Sequence, residues 1–131
     1  MWTPHTPGSN SAGSAGWHIL DVSAPVETFL AGLQRCETVL SSSLHGIVFA
    51  HAYGRRALWI ELSSRVHGDG FKFFDYYASL GISAERVDRC RIDADTPPSA
   101  LPARARAADT SALEKALITA VAASARALEI P

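Results

Sequence analysis

Two rhythms of apolar residues run along the chain. Short runs rich in apolar and β-branched residues occupy positions 17–22, 38–41 and 57–62, and between them apolar residues recur every three or four positions. Runs of the first kind predict strands, and the intervening period predicts helices. Val26, Phe29, Leu30 and Leu33 fall at i, i+3, i+4 and i+7, with Glu27, Gln34 and Arg35 on the other side, and Ser23-Ala24-Pro25 places a proline where a helix begins. A second helix is predicted over 44–53, stopped by Gly54. A third carries Phe73, Tyr76, Tyr77 and Leu80 and closes at Gly81, after which 86–92 adds an edge strand. Strands alternating with helices predict βαβ units with right-handed crossovers. The fold expected is therefore α/β, a Rossmann-like three-layer domain whose parallel sheet is built on 17–22, 39–42 and 57–62.

The flanks lack this alternation. Residues 1–16 are rich in Pro, Gly, Ser and Ala and read as a flexible lead-in to an α/β domain at 17–95. Pro97, Pro98 and Pro102 mark 96–108 as a linker, because each removes a donor and fixes φ. Over 109–131, Ser111 and Glu114 stand at capping-box spacing, and Leu113, Leu117, Val121 and Leu128 give a narrow stripe, so a C-terminal helix packing on the domain is expected.

Composition narrows the function classes. In 131 residues, 12 Lys and Arg face 13 Asp and Glu for a formal charge of −1, which provides no basic field for nucleic acid. No run approaches the ~20 apolar residues of a membrane span, and the N-terminus lacks a signal-peptide layout, so a cytoplasmic protein is expected. Cys36 and Cys90, far apart and without a CxxC pair, read as two ordinary thiols, and no metal site is expected.

Chemistry concentrates in two segments. Ser41-Ser42-Ser43-Leu44-His45-Gly46 joins a predicted strand to a predicted helix, at the edge of a parallel sheet where ligands bind. Free amides of the first helical turn and the helix dipole favour an anion there, and His45 is placed to donate to it or carry a proton. The second segment, Ser63 to Phe73, opens onto the same edge. In it Gly68 and Gly70 bracket Asp69, and Lys72, one of two lysines, stands among Phe71, Phe73, Phe74, Tyr76 and Tyr77. That aromatic cluster reads as core. His51, six positions beyond His45 and so ~120° round the helix, reads as structural, and His5 and His18 are given no role.

With these residues in view, the chain resembles the polysaccharide pyruvyl transferase family, specifically the C-terminal half of its bacterial exopolysaccharide members. The likeness runs through residues 25–83: Val26-Glu27, Cys36-Glu37, Ser41-Ser42-Ser43-Leu44-His45-Gly46-Ile47-Val48, Ala50-His51-Ala52-Tyr53-Gly54, Gly68-Asp69-Gly70-Phe71-Lys72-Phe73 and Asp75-Tyr76-Tyr77. The resemblance implies one half of a two-domain, GT-B-like glycosyltransferase fold. It also implies phosphoenolpyruvate as donor with no separate cofactor, and a sugar or lipid-linked oligosaccharide acceptor that receives pyruvate as a ketal in exopolysaccharide biosynthesis. His45 takes the place of the family's donor-site histidine and is the expected catalytic residue. Ser42, Ser43, Leu44, Gly46, Arg65, Asp69, Gly70 and Lys72 are the expected substrate-binding residues. Many relatives carry an arginine where this chain has Ser43, so the cation must come from Lys72, Arg65 or an N-terminal half supplied by a companion subunit. Alone, the chain is expected to be inactive. Two other readings stand beside this one: a nucleotide-sugar-binding glycosyltransferase domain with Glu61 as the ribose partner, and a non-catalytic remnant that binds an anion or another subunit.

Overall fold

A computed structural model describes residues 2–4, 16–62 and 70–127. In chain order these form β1 (Trp2–Pro4), β2 (Trp17–Ile19), α1 (Val26–Gln34), β3 (Thr38–Ser41), α2 (Leu44–Ala52), β4 (Arg56–Glu61), α3 (Phe71–Ser79), β5 (Arg89–Arg91) and α4 (Ser111–Ala127). Three 3-10 turns lie at Ala84–Arg86, Pro98–Ala100 and Pro102–Arg104. Every residue of β3 and the four central residues of β4 are buried, so Val39-Leu40 and Ala57 to Ile60 are apolar without alternation while Thr38 and Ser41 are buried polar ends. They pair parallel from Thr38 with Arg56 to Ser41 with Trp59, and β5 adds a third parallel strand with Ile60 opposite Cys90. The molecule is an α/β domain of Rossmann-like character.

The expected strand at 17–22 takes a different place. The sheet order is β2-β1-β3-β4-β5, and β1 pairs antiparallel with both β2 and β3. β2 therefore runs in the same direction as β3 but never touches it, because residues 2–4, read as part of a flexible lead-in, insert between them. Pro4 is tolerated because it pairs with Trp17 alone, while the recorded contact of β1 with β3 is at Trp2 and Leu40.

Alternation along the strands sorts side chains into two clusters. Val39, Ala57 and Trp59 face Leu33, Ile47, Ala50, Phe73 and Tyr77, so α1, α2 and α3 all cover one face. Leu40, Leu58 and Ile60 face the other way, against Cys90, Leu101 and Ala105. Among the described residues α1, α2 and α3 do not cover that second face. Its cover is the proline-rich segment expected as a linker, in which Leu101 is 6% and Ala105 1% exposed. Pro98 and Pro102 each sit at the start of a 3-10 turn, where a missing amide proton costs nothing. Arg106 ends this strap with paired backbone bonds to Ala57, at 2.8 and 3.0 Å. α4, expected to pack on the domain, buries none of its described residues, and Leu117, Ile118 and Val121 stand in solvent. Among the described residues no helix is long and apolar enough to cross a membrane.

Candidate functional site

The turn between β3 and α2 is shaped by its first serine. Ser41, 2% exposed at the end of the buried strand, donates its hydroxyl to the Ser43 carbonyl at 2.9 Å and accepts from the Ser43 amide at 3.1 Å. One side chain closes the turn and delivers Ser43 to the helix in extended conformation, φ −108° and ψ 136°. Sequence reasoning placed Ser41 in the candidate segment but assigned the binding role to Ser42 and Ser43. The two-residue period held the signal, because it turns Ser41 inward with Val39.

Ser43 makes no side-chain bond into α2, and the helix opens with the amide of Ile47 on the Ser43 carbonyl at 3.4 Å. The amides of Leu44, His45 and Gly46 consequently meet no acceptor among the described residues, at the C-terminal edge of two parallel strands. A cleft of about 310 Å³ lies here between α1 and α2. Val22, Val26, Phe29, Leu30 and Phe49 form apolar walls, with the rings of Phe29 and Phe49 edge to face at 6.1 Å. Ser43, His45 and Gly46 share the lining, and His45 is exposed with no hydrogen bond to a described residue. Leu44 turns away into the core, and Ser42 is exposed outside the cleft. An apolar slot with unpaired amides and an imidazole can hold a small molecule that has an anionic end and a carbon body.

The second expected segment is only partly placed. Arg65 and Asp69 lie outside the described residues. Gly70 caps α3 with φ +80°, and a Cβ built there would stand 2.5 Å from the Trp59 ring, so its glycine identity answers to the fold. Lys72 occupies the first turn of α3 on the same edge of the sheet, exposed, with its Nζ 5.6 Å from the centroid of the Phe73 ring. Neither Gly70 nor Lys72 lines the cleft that holds His45. Most of the aromatic block is core, as expected: Phe73 stacks on Trp59 at 4.2 Å, and Tyr77 is buried, although Phe71 is exposed.

His51 is structural. It is 3% exposed, with Nε2 3.2 Å from the Arg106 carbonyl and Nδ1 3.0 Å from the Tyr76 hydroxyl. A carbonyl only accepts, so Nε2 carries the proton, and Nδ1 takes the proton of Tyr76. Burial holds the His51 pKa below its ordinary value and pushes those of Tyr76 and Tyr77 up to about 12. Glu61, the acid a nucleotide-binding reading needs, lies 3.6 Å from Arg89 in an ion pair. Cys36 and Cys90 lie in the two separate clusters on opposite faces of the sheet, with no disulfide between them.

Comparison with known proteins bears on the same segment. An uncharacterised protein of Acanthamoeba polyphaga mimivirus is 38% identical over 55 residues, which are 41% of this chain and 19% of the relative. The chain thus spans about a fifth of that relative's length. No solved structure matches. The family model for polysaccharide pyruvyl transferase matches residues 6–64, a span that contains the whole turn and α2 but stops before the Gly-Phe-Lys-Phe segment. Over residues 6–64, a little under half of its length, the chain is similar to the polysaccharide pyruvyl transferase family.

Proposed function

We propose that this domain serves pyruvyl transfer from phosphoenolpyruvate to the hydroxyls of a sugar or lipid-linked oligosaccharide in exopolysaccharide synthesis, and that the start of α2 holds the donor. The carrying observation is the helix start without a side-chain cap, set beside His45 in an apolar-walled cleft and inside the family match. Phosphoenolpyruvate suits such a place, with two anionic groups on a three-carbon body.

In the reaction, the donor's methylene carbon gains a proton and becomes a methyl group, and one sugar hydroxyl adds to the neighbouring carbon. The bond from that carbon to the phosphate oxygen then breaks, phosphate departs, and a second hydroxyl closes the ketal. The two protons given up by the hydroxyls balance the one taken by carbon and the one taken by phosphate. In this reading the amides of Leu44, His45 and Gly46 bind the anionic end, and His45 supplies a charge-assisted bond and a proton. A helix start balances only about half a unit of charge, so a side-chain cation is needed, and we assign Lys72, which stands exposed on the same edge of the sheet but outside the cleft lining. The acceptor and its base belong to the other half of a two-domain, GT-B-like enzyme.

Calorimetric titration of phosphoenolpyruvate into the 131-residue chain and its His45→Ala variant tests the assignment. Loss of a charge-assisted bond worth ~1.5 kcal/mol corresponds to roughly tenfold weaker binding. Lys72→Ala should also weaken binding, and that loss should shrink as salt rises. Equal affinity in wild type and His45→Ala would return His45 to the surface.

A further inference from the structure

A second pocket lies at the opposite end of the parallel strands. Ala57, near the start of β4, and Asp88, just before β5, contribute to a cavity of about 390 Å³ enclosed by the end of α3, the turn after it and the strap. Its charged groups are unevenly matched. Asp88, the one acid in the lining, is engaged by Arg104, which also donates to the Arg89 carbonyl at 3.0 Å. Arg106 spends one Nη on the neutral carbonyls of Ala103 and Ala105, at 2.7 and 3.0 Å, and has no ion pair among the described residues. Arg86 has no ion pair among the described residues, and the Tyr77 hydroxyl has no hydrogen bond among them. His51, at the back, has both ring nitrogens occupied.

We propose that this pocket binds a small organic oxyanion, a phosphate or carboxylate carried on an apolar body, between the guanidinium groups of Arg86 and Arg106 and the Tyr77 hydroxyl. Two unmatched cations and an unused donor in one cavity call for an acceptor with several oxygens, and guanidinium forks suit such groups. Ile82, Val87, Ala107 and Ala108 leave an apolar wall for the rest of the ligand. The site stands apart from the start of α2 and does not depend on what binds there.

Phenyl phosphate and inorganic phosphate serve as probes, titrated into the full chain and followed by amide shifts of Ile82, Ala107 and Ala108. Phenyl phosphate should bind the more tightly, Arg86→Ala should weaken it at least fivefold, and Tyr77→Phe, which keeps the buried ring, should weaken it to a lesser degree. His45→Ala should leave it unchanged. Unaltered binding in Arg86→Ala, or a loss in His45→Ala instead, would overturn the site. Equal affinity for the two probes would overturn the apolar half of the assignment.

Discussion

Gly70 and Gly81 share a backbone conformation, at φ +80° and +75°, yet differ in their surroundings: a Cβ on Gly70 would strike the Trp59 ring at 2.5 Å, and one on Gly81 would meet nothing within 4 Å. Gly81→Ala should therefore cost only the left-handed strain, about 1–2 kcal/mol. Gly70→Ala should add about 1–3 kcal/mol of overpacking. Urea denaturation of the pair separates the two effects, and equal losses would mean that the indole moves aside. His51 gives a second test. Its folded pKa lies below the ordinary 6.5, so beneath that pH the unfolded chain binds more protons than the folded one. Its contribution to stability should be complete above pH 6.5 and decline as the pH falls from there toward the lower folded value. Urea midpoints between pH 7.5 and 5.5 should fall in the wild type and fall less in His51→Gln; parallel slopes would exclude this imidazole as the source. Ser41 shows what residue-by-residue reading overlooks, since its role depends on a bond to a carbonyl two residues on and not on its chemistry as a donor to ligand.

Among the elements, β3, β4, α1, α2 and α3 were legible because each carries its burial pattern locally: strands buried on both faces read as apolar runs, and helices covering one face read as a stripe. Elements defined by distant partners were not. β1 is three residues long, ends in proline and exists only because β2 and β3 flank it. The strap was masked by its prolines, which correctly excluded an α-helix but equally start 3-10 turns that fold Leu101 and Ala105 onto the sheet. α4 was anticipated, yet its opening bonds sit one residue early: the Thr110 hydroxyl donates to Glu114 at 2.7 Å, and the Ser111 amide to Asp109 at 2.9 Å. If the strap is core, Leu101→Ala should lower stability by about 2–5 kcal/mol, as buried leucines do elsewhere. A linker leucine would cost a few tenths, and a thermal or urea melt distinguishes the two.

For the whole molecule, the candidate donor turn and the arginine-lined pocket occupy opposite ends of one short parallel sheet, so each can be altered without touching the other. Of the donor site, the turn was legible from its position after a strand, whereas its relation to Lys72 was not, because spacing along the chain does not say which helix starts share a cleft. The strap has a further consequence, for the route by which the chain folds. β3 and β4 meet through residues 18 apart, Thr38 with Arg56, whereas β1 reaches β3 across 38, Trp2 to Leu40, and the strap reaches β4 across 49, Ala57 to Arg106. Contacts between nearer residues close at smaller entropic cost and form earlier. The β3-α2-β4 unit should therefore be built in the transition state, with the strap docking on the downhill side. In stopped-flow measurements Ile47→Val should slow folding, while Leu101→Ala should leave the folding rate nearly unchanged and speed unfolding. The strap then governs how long the native state lasts rather than how quickly it is reached.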